Sequence, residues 1–143
     1  MGKTNWMRVL LGGLLAGVAM VILAFTTMEI YLSKLWYSAL EALGHPVQDT
    51  IGFITFGIVF NLVIGILAVW LYSAIRPRYG AGSKTAVIAA LAVWILSGLS
   101  FAAISASFGL FPTNLLVIDE LTDLAIKVVA TLAGAWVYKE QSQ

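Results

Sequence analysis

One stretch decides how this chain is interpreted: Leu115-Leu-Val-Ile-Asp-Glu-Leu-Thr-Asp-Leu-Ala-Ile-Lys-Val-Val-Ala-Thr-Leu-Ala-Gly-Ala-Trp-Val-Tyr138. It is long enough to cross a bilayer as a helix, yet it carries Asp123 and Lys127 one helical turn apart. On insertion scales each charged group costs about 2.5 to 3.5 kcal/mol near a bilayer centre. Such residues persist where they are partnered or serve a function, so we expect a site here.

The composition of the chain is that of an integral membrane protein. Of the 143 residues, 61% are hydrophobic and 10% are charged, and the mean hydropathy is +0.97. This apolar surface exceeds what one small core could bury, so the bilayer must act as the solvent. The net charge of +1 provides no basic field for nucleic acid. The chain has no cysteine, which excludes disulfide, thiolate-metal and thiol redox chemistry.

Four apolar segments reach the roughly 20 residues that a spanning helix needs. They predict spans at about 9–32, 51–75, 85–108 and 115–138. We therefore expect an all-α fold, with residues 1–143 forming a single transmembrane domain: a four-helix up-down-up-down bundle. The first segment is long and no clear small-x-small cleavage site follows it, so we expect it to be retained. The connection 33–50 has room for a separate interfacial helix around Leu35, Trp36, Leu40 and Leu43.

Basic residues predict the orientation of the spans. Outside the predicted spans, all of them but Lys34 fall at one side of the predicted membrane: Lys3, Arg8, Arg76, Arg78, Lys84 and Lys139. Both termini should therefore be cytoplasmic, in what we expect to be a bacterial inner membrane. The outer side collects acidic residues: Glu29, Glu41, Asp49, Asp119 and Glu120.

A weak internal repeat sets the depth of the polar groups. The second and fourth segments end in Trp70-Leu71-Tyr72 and Trp136-Val137-Tyr138. Counting back 11 residues from each tyrosine reaches Asn61 and Lys127, roughly 16 Å into the bilayer. The half of each helix on the cytoplasmic side is almost free of polar residues. The outward half contains enough of them to line a cavity, including Ser97 and Ser100, and a continuous water-filled pore is not expected.

One face of the fourth segment carries Glu120, Asp123, Lys127 and Thr131, and it should point into the bundle. Two interpretations stay open. Asp123 and Lys127 can form a structural ion pair that fixes helix packing. Alternatively, the acidic residues form an outward pocket for a cation, an amine or a proton, with Lys127 as its floor. The candidate pocket residues are Glu29, Asn61, Ser97, Ser100, Asp119, Glu120, Asp123 and Lys127, although Glu29 can also simply reach the solvated interface.

Other chemical signatures are weak. Arg76, Arg78 and Lys84 are expected to bind anionic lipid headgroups from a cytoplasmic turn. That turn resembles part of a phosphate-binding loop, but Ser83 replaces the last glycine and no strand precedes it. The lone histidine, His45, is interpreted as a loop residue, and we expect no cofactor. No nucleophile and base pair is visible, so an enzyme is not expected, whereas a metal at the acidic cluster stays open.

Rows of small residues indicate close helix packing. Gly13 and Gly17 form a G-x-x-x-G pattern, and Gly57, Asn61 and Gly65 form a second row at the same spacing. Such rows let helix backbones approach each other within a membrane. They serve either packing within one chain or association into a homo-oligomer.

Two stretches of the chain carry a resemblance to known proteins: Arg76-Pro-Arg-Tyr-Gly-Ala-Gly-Ser-Lys-Thr-Ala86 and Gly134-Ala-Trp-Val-Tyr-Lys-Glu140. They resemble small bacterial four-span membrane proteins of uncharacterised function. The resemblance implies the same topology and no particular activity. The leading functional hypothesis is a non-enzymatic membrane component that self-associates or binds partner subunits or lipid. The alternative is a small transporter or binding protein for a cation or amine, which uses the outward acidic pocket.

Overall fold

Helices account for nearly all of the described chain. The computed structural model describes residues 4–45 and 50–139; Lys3 and Asp49, used above, lie outside these ranges. The α-helices are α1 (Trp6–Thr27), α2 (Ser33–Ala42), α3 (Thr50–Tyr79), α4 (Ser83–Trp94), α5 (Ser100–Ser107) and α6 (Thr113–Val137). A first π turn (Met28–Leu32) joins α1 to α2, and a second π turn (Ile95–Leu99) joins α4 to α5. The described residues therefore form four continuous helices, and the expected all-α fold is confirmed.

Three of the helices are long and apolar enough to cross a membrane, counting only the residues that the structure describes. They are Trp6–Ala42, Ile51–Tyr79 and Ser83–Ser107. The fourth helix, α6, has 25 residues and comparable length, but it carries the four charged residues between Asp119 and Lys127. The fold is thus consistent with a membrane protein, and its least apolar helix is the one with the expected site.

The first helix is longer than the sequence suggested. We expected a span to end near Leu32 and a separate helix to follow in the interface, but the chain continues as one helix from Trp6 to Ala42. Neither proline nor glycine occurs between these two parts, so nothing in the sequence breaks the helix at Leu32. It ends instead at Ala42, and Gly44 follows with a φ of 75°, the left-handed conformation typical of a residue just after a helix.

The helices pack closely at one half of the bundle. Gly13 and Gly17 of α1 face Gly65 of α3, and Gly12 of α1 faces Gly134 of α6. At each of these positions a side chain would collide with the backbone of the neighbouring helix. The glycine row that includes Gly13 and Gly17 is therefore used within the chain, which is the first of the two uses considered above.

The same half contains the apolar core. Its buried residues include Val9, Val69, Tyr72, Ala89 and Tyr138, and a second layer is formed around Met20, Ile64 and Ala130. The rings of Tyr72 and Tyr138 meet edge to face, with centroids 5.9 Å apart. The two aromatic motifs of the weak repeat thus lie at the same level of the bundle. We call this half the packed half and the opposite half, where α3 begins, the open half.

Candidate functional site

The open half of the bundle contains a cavity of about 650 Å³. All four continuous helices contribute to its lining. Its charged wall belongs to α6 and consists of Asp119, Glu120, Asp123 and Lys127. Its aromatic lining comes from the other helices and consists of Phe25, Trp36, Phe53, Phe56, Phe60 and Phe101. A volume of this size is in the range of small-molecule sites.

Lys127 is buried at the inner end of this wall. Its side chain is only 6% exposed, and its ammonium group donates a hydrogen bond to Asp123 Oδ2, one turn earlier on α6. The Asp123 side chain is 30% exposed. Because a buried ammonium without a partner is costly, this ion pair allows Lys127 to lie inside the bundle.

Glu120 is the unusual residue of the wall. It is only 8% exposed, and its Oε2 atom has no hydrogen-bond partner among the described residues. Its backbone carbonyl accepts a hydrogen bond of 3.2 Å from the indole Nε1 of Trp94, which holds α6 against α4. Burial of a carboxylate oxygen without a donor costs free energy. Glu120 also lines the cavity, so a residue that borders this space carries an acceptor without a donor.

Gly98 makes room for these carboxylates. A Cβ atom at this position would lie 2.6 Å from Asp123 Oδ2 and 2.7 Å from Glu120 Oε2. The two acidic groups therefore converge on one point beside the backbone of the second π turn. Met28 and Leu32 of the first π turn line the same cavity. π turns inside α-helices are frequent at functional sites, and here both border one cavity.

Asp119 lies at the outer end of the wall, beside Trp36. Trp36 and Asp119 line the cavity together. The Trp36 ring also packs edge to face on Phe111, with centroids 5.0 Å apart. This arrangement connects three parts of the chain: α2, the charged wall, and the segment before α6 that contains Phe111.

The structure brings most of the predicted pocket residues together. Asn61 and Ser97 line the cavity with the four charged residues of α6. The Asn61 amide donates a hydrogen bond to the carbonyl of Gly57 at 2.8 Å, and the Ser97 hydroxyl donates one to Val93 at 2.8 Å. Glu29 and Ser100 are exposed and do not line the cavity. The Ser100 hydroxyl instead donates a hydrogen bond to the carbonyl of Ile95 in its own helix.

The predicted headgroup residues lie at the packed end of the bundle. The guanidinium carbon of Arg76 lies 5.5 Å from the centre of the Tyr138 ring, whereas Arg78 and Lys84 are exposed. The turn between them is closed by the Thr85 hydroxyl, which donates a hydrogen bond of 2.7 Å to the carbonyl of Gly80. The phosphate-loop-like sequence is therefore a compact connection between α3 and α4.

Sequence reasoning missed part of the lining. The phenylalanines of α3 recur at the three- and four-residue spacing of one helix face, together with Gly57 and Asn61, and this pattern could have been read from the sequence. The role of Gly98 and the two π turns had no comparable signal. Among the described residues, no group of three or more His, Cys, Asp or Glu side chains is arranged to hold a metal ion. A comparison with protein-family models, curated proteins and solved structures gave no match.

Proposed function

We propose that this chain is a four-span protein of a bacterial inner membrane that binds a ligand carrying a protonated amine in its outward cavity. The bundle runs up-down-up-down, with both termini in the cytoplasm. The observation that carries the proposal is Glu120, which lines the cavity and whose buried Oε2 atom has no hydrogen-bond partner among the described residues. An ammonium group supplies both the positive charge and the N–H donors that this oxygen lacks.

The charge of the wall supports a cationic ligand. Three carboxylates, those of Asp119, Glu120 and Asp123, share the wall with one ammonium group, that of Lys127. Lys127 already pairs with Asp123. An anion would be repelled by the remaining carboxylates, whereas a cation would compensate them.

The geometry favours this binding function over the interaction component considered first. The glycines Gly13, Gly17 and Gly65, which could have formed an oligomer interface, are engaged within the chain. The packed half is filled by buried apolar side chains, which favours binding over a continuous channel. Association with partner subunits would have to use other surfaces.

The orientation is testable with single cysteines, because the chain has none of its own. Ser38 and Ser83 are both exposed, and they lie on opposite sides of the proposed membrane. An impermeant maleimide added to intact cells should label Ser38→Cys, and it should label Ser83→Cys only after permeabilisation. The reverse pattern would show that the proposed orientation is wrong.

The binding function is testable by thermal unfolding of the purified protein in a non-ionic detergent. Butylammonium chloride should raise the Tm of the parent protein, because a ligand that binds the folded state stabilises it, by about 2.7 kcal/mol at 100 times its Kd. Glu120→Gln should fold normally and lose this shift. Glu29→Gln removes an exposed carboxylate outside the cavity and should keep it.

Two controls complete this experiment. Sodium chloride at the same concentration separates amine binding from a general effect of salt. An equal Tm shift in Glu120→Gln and the parent protein would contradict the assignment of Glu120. No shift in the parent protein would contradict the proposed function itself.

A further inference from the structure

One side of the cavity is formed by an aromatic face of α3 that is open to the outside of the bundle. Phe53, Phe56 and Phe60 line the cavity, yet their side chains are 51%, 68% and 42% exposed. The rings of Phe56 and Phe60 stack on each other, with centroids 5.8 Å apart. Side chains that border a cavity and are also largely exposed mark an opening in its wall, and this opening runs along α3.

Gly57 widens the opening. It lies between Phe56 and Phe60 on the same face, and apart from adjoining residues of its own helix nothing lies within 4 Å of the position that a Cβ would occupy. This contrasts with Gly65 on the same helix, where a Cβ would meet the backbone of α1. The beginning of α3 therefore stands away from its neighbours, whereas its later part is tightly packed.

In a bilayer this opening faces acyl chains. The residues that surround it are phenylalanines, and Ile51 and Ile54 next to them are exposed as well. The charged wall on α6 borders the same cavity, with Glu120 Oε2 as its unpartnered acceptor. One cavity thus joins an acidic wall to an apolar side opening.

We propose that the ligand is a single-chain amphiphile with a primary ammonium headgroup, which reaches the cavity from the bilayer along α3. The ammonium group binds at Glu120 and Asp123, and the chain lies against the phenylalanine face and leaves through the opening. A primary ammonium has three N–H donors for these carboxylates, whereas a trimethylammonium group has none. This inference rests on the proposed amine-binding function and specifies its substrate class.

The experiment compares three probes in phosphatidylcholine nanodiscs: butylammonium, dodecylammonium and dodecyltrimethylammonium. Binding is measured from the Tm of the protein as each probe is titrated, with the dodecyl compounds compared at equal amounts in the membrane. Dodecylammonium should bind at least about tenfold more tightly than dodecyltrimethylammonium, because only the primary amine donates hydrogen bonds to the carboxylates.

A substitution at Gly57 tests the path of the chain. Gly57→Leu fills the opening without a clash at its Cβ, so folding should be preserved. It should weaken dodecylammonium binding at least about tenfold, because the four added side-chain carbons displace at least roughly two methylenes of the chain from this face. Butylammonium binding should be weakened less than dodecylammonium binding, since a four-carbon chain has fewer methylenes to lose from this face. Ala103→Leu, at an exposed position outside the cavity, is the matched control.

The outcomes separate this inference from the function on which it rests. If butylammonium binds through Glu120 but Gly57→Leu leaves dodecylammonium binding unchanged, the amine site stands and the amphiphile inference is overturned. Equal binding of the two dodecyl compounds also overturns it. If no amine stabilises the parent protein, both proposals fail.

Discussion

Replacing Lys127 with alanine is expected to destabilise the folded protein by about 3 to 5 kcal/mol, the usual cost of removing one partner from a buried ion pair. The substitution leaves Asp123 beside Glu120 with no ammonium group to compensate the two carboxylates, which converge on Gly98. Asp123→Ala should also be destabilising, because it strands the buried ammonium of Lys127. Removing both residues should cost less than the two single changes together.

This double-mutant cycle is measured by reversible unfolding in mixed micelles, with the parent protein and all three variants under one condition. Lys84→Ala provides a control at an exposed lysine and should change stability by less than about 0.5 kcal/mol. If the two single effects simply add, Asp123 and Lys127 are not energetically coupled. The structural interpretation of the pair would then have to be abandoned.

The second large effect is expected at Gly65. Gly65→Ala should destabilise the protein by about 1 to 3 kcal/mol, because the added methyl group collides with the backbone of Gly13 and Gly17. Gly57→Ala, two turns earlier on the same helix, should be neutral or stabilising by up to about 1 kcal/mol, because its Cβ meets nothing and alanine favours the helix.

These two glycine variants form a matched pair, since the chemical change and the helix are the same. The free energy of unfolding is measured for both in the same detergent. The expected difference in sign follows only from the packing of α1 on α3. Equal destabilisation at the two positions would mean that the beginning of α3 is as tightly packed as its later part, and the opening along α3 would lose its support.

The main features of the fold could be predicted from the sequence because each depends on a local or compositional signal. Apolar length predicts the helices, and the three-four spacing of Glu120, Asp123 and Lys127 places them on one face. The count from Tyr72 and Tyr138 placed Asn61 level with Lys127, and both residues line one cavity. Glu29 and Ser100 were included because of their depth, but depth alone does not determine which way a side chain points.

The details that define the cavity depend on contacts between distant parts of the chain. Nothing in Ile95-Leu-Ser-Gly-Leu99 distinguishes a π turn from an ordinary helical turn. The role of Gly98 follows only from the folded structure, in which α6 places two carboxylates beside it. The unpartnered Glu120 oxygen likewise results from packing, since any exposed glutamate would find water instead.

Gly98 also reverses the usual order of mutational tolerance in a helix. At an ordinary helical position alanine is the most acceptable replacement for glycine, because it adds helix propensity and little volume. At Gly98 even that one methyl group would occupy the space beside Asp123 Oδ2 and Glu120 Oε2. Selection for a charged cavity would therefore reject the substitution that selection for a stable helix alone would accept. Glycine lowers the stability of the helix at this position. Its missing side chain is what allows two acidic groups to lie side by side there.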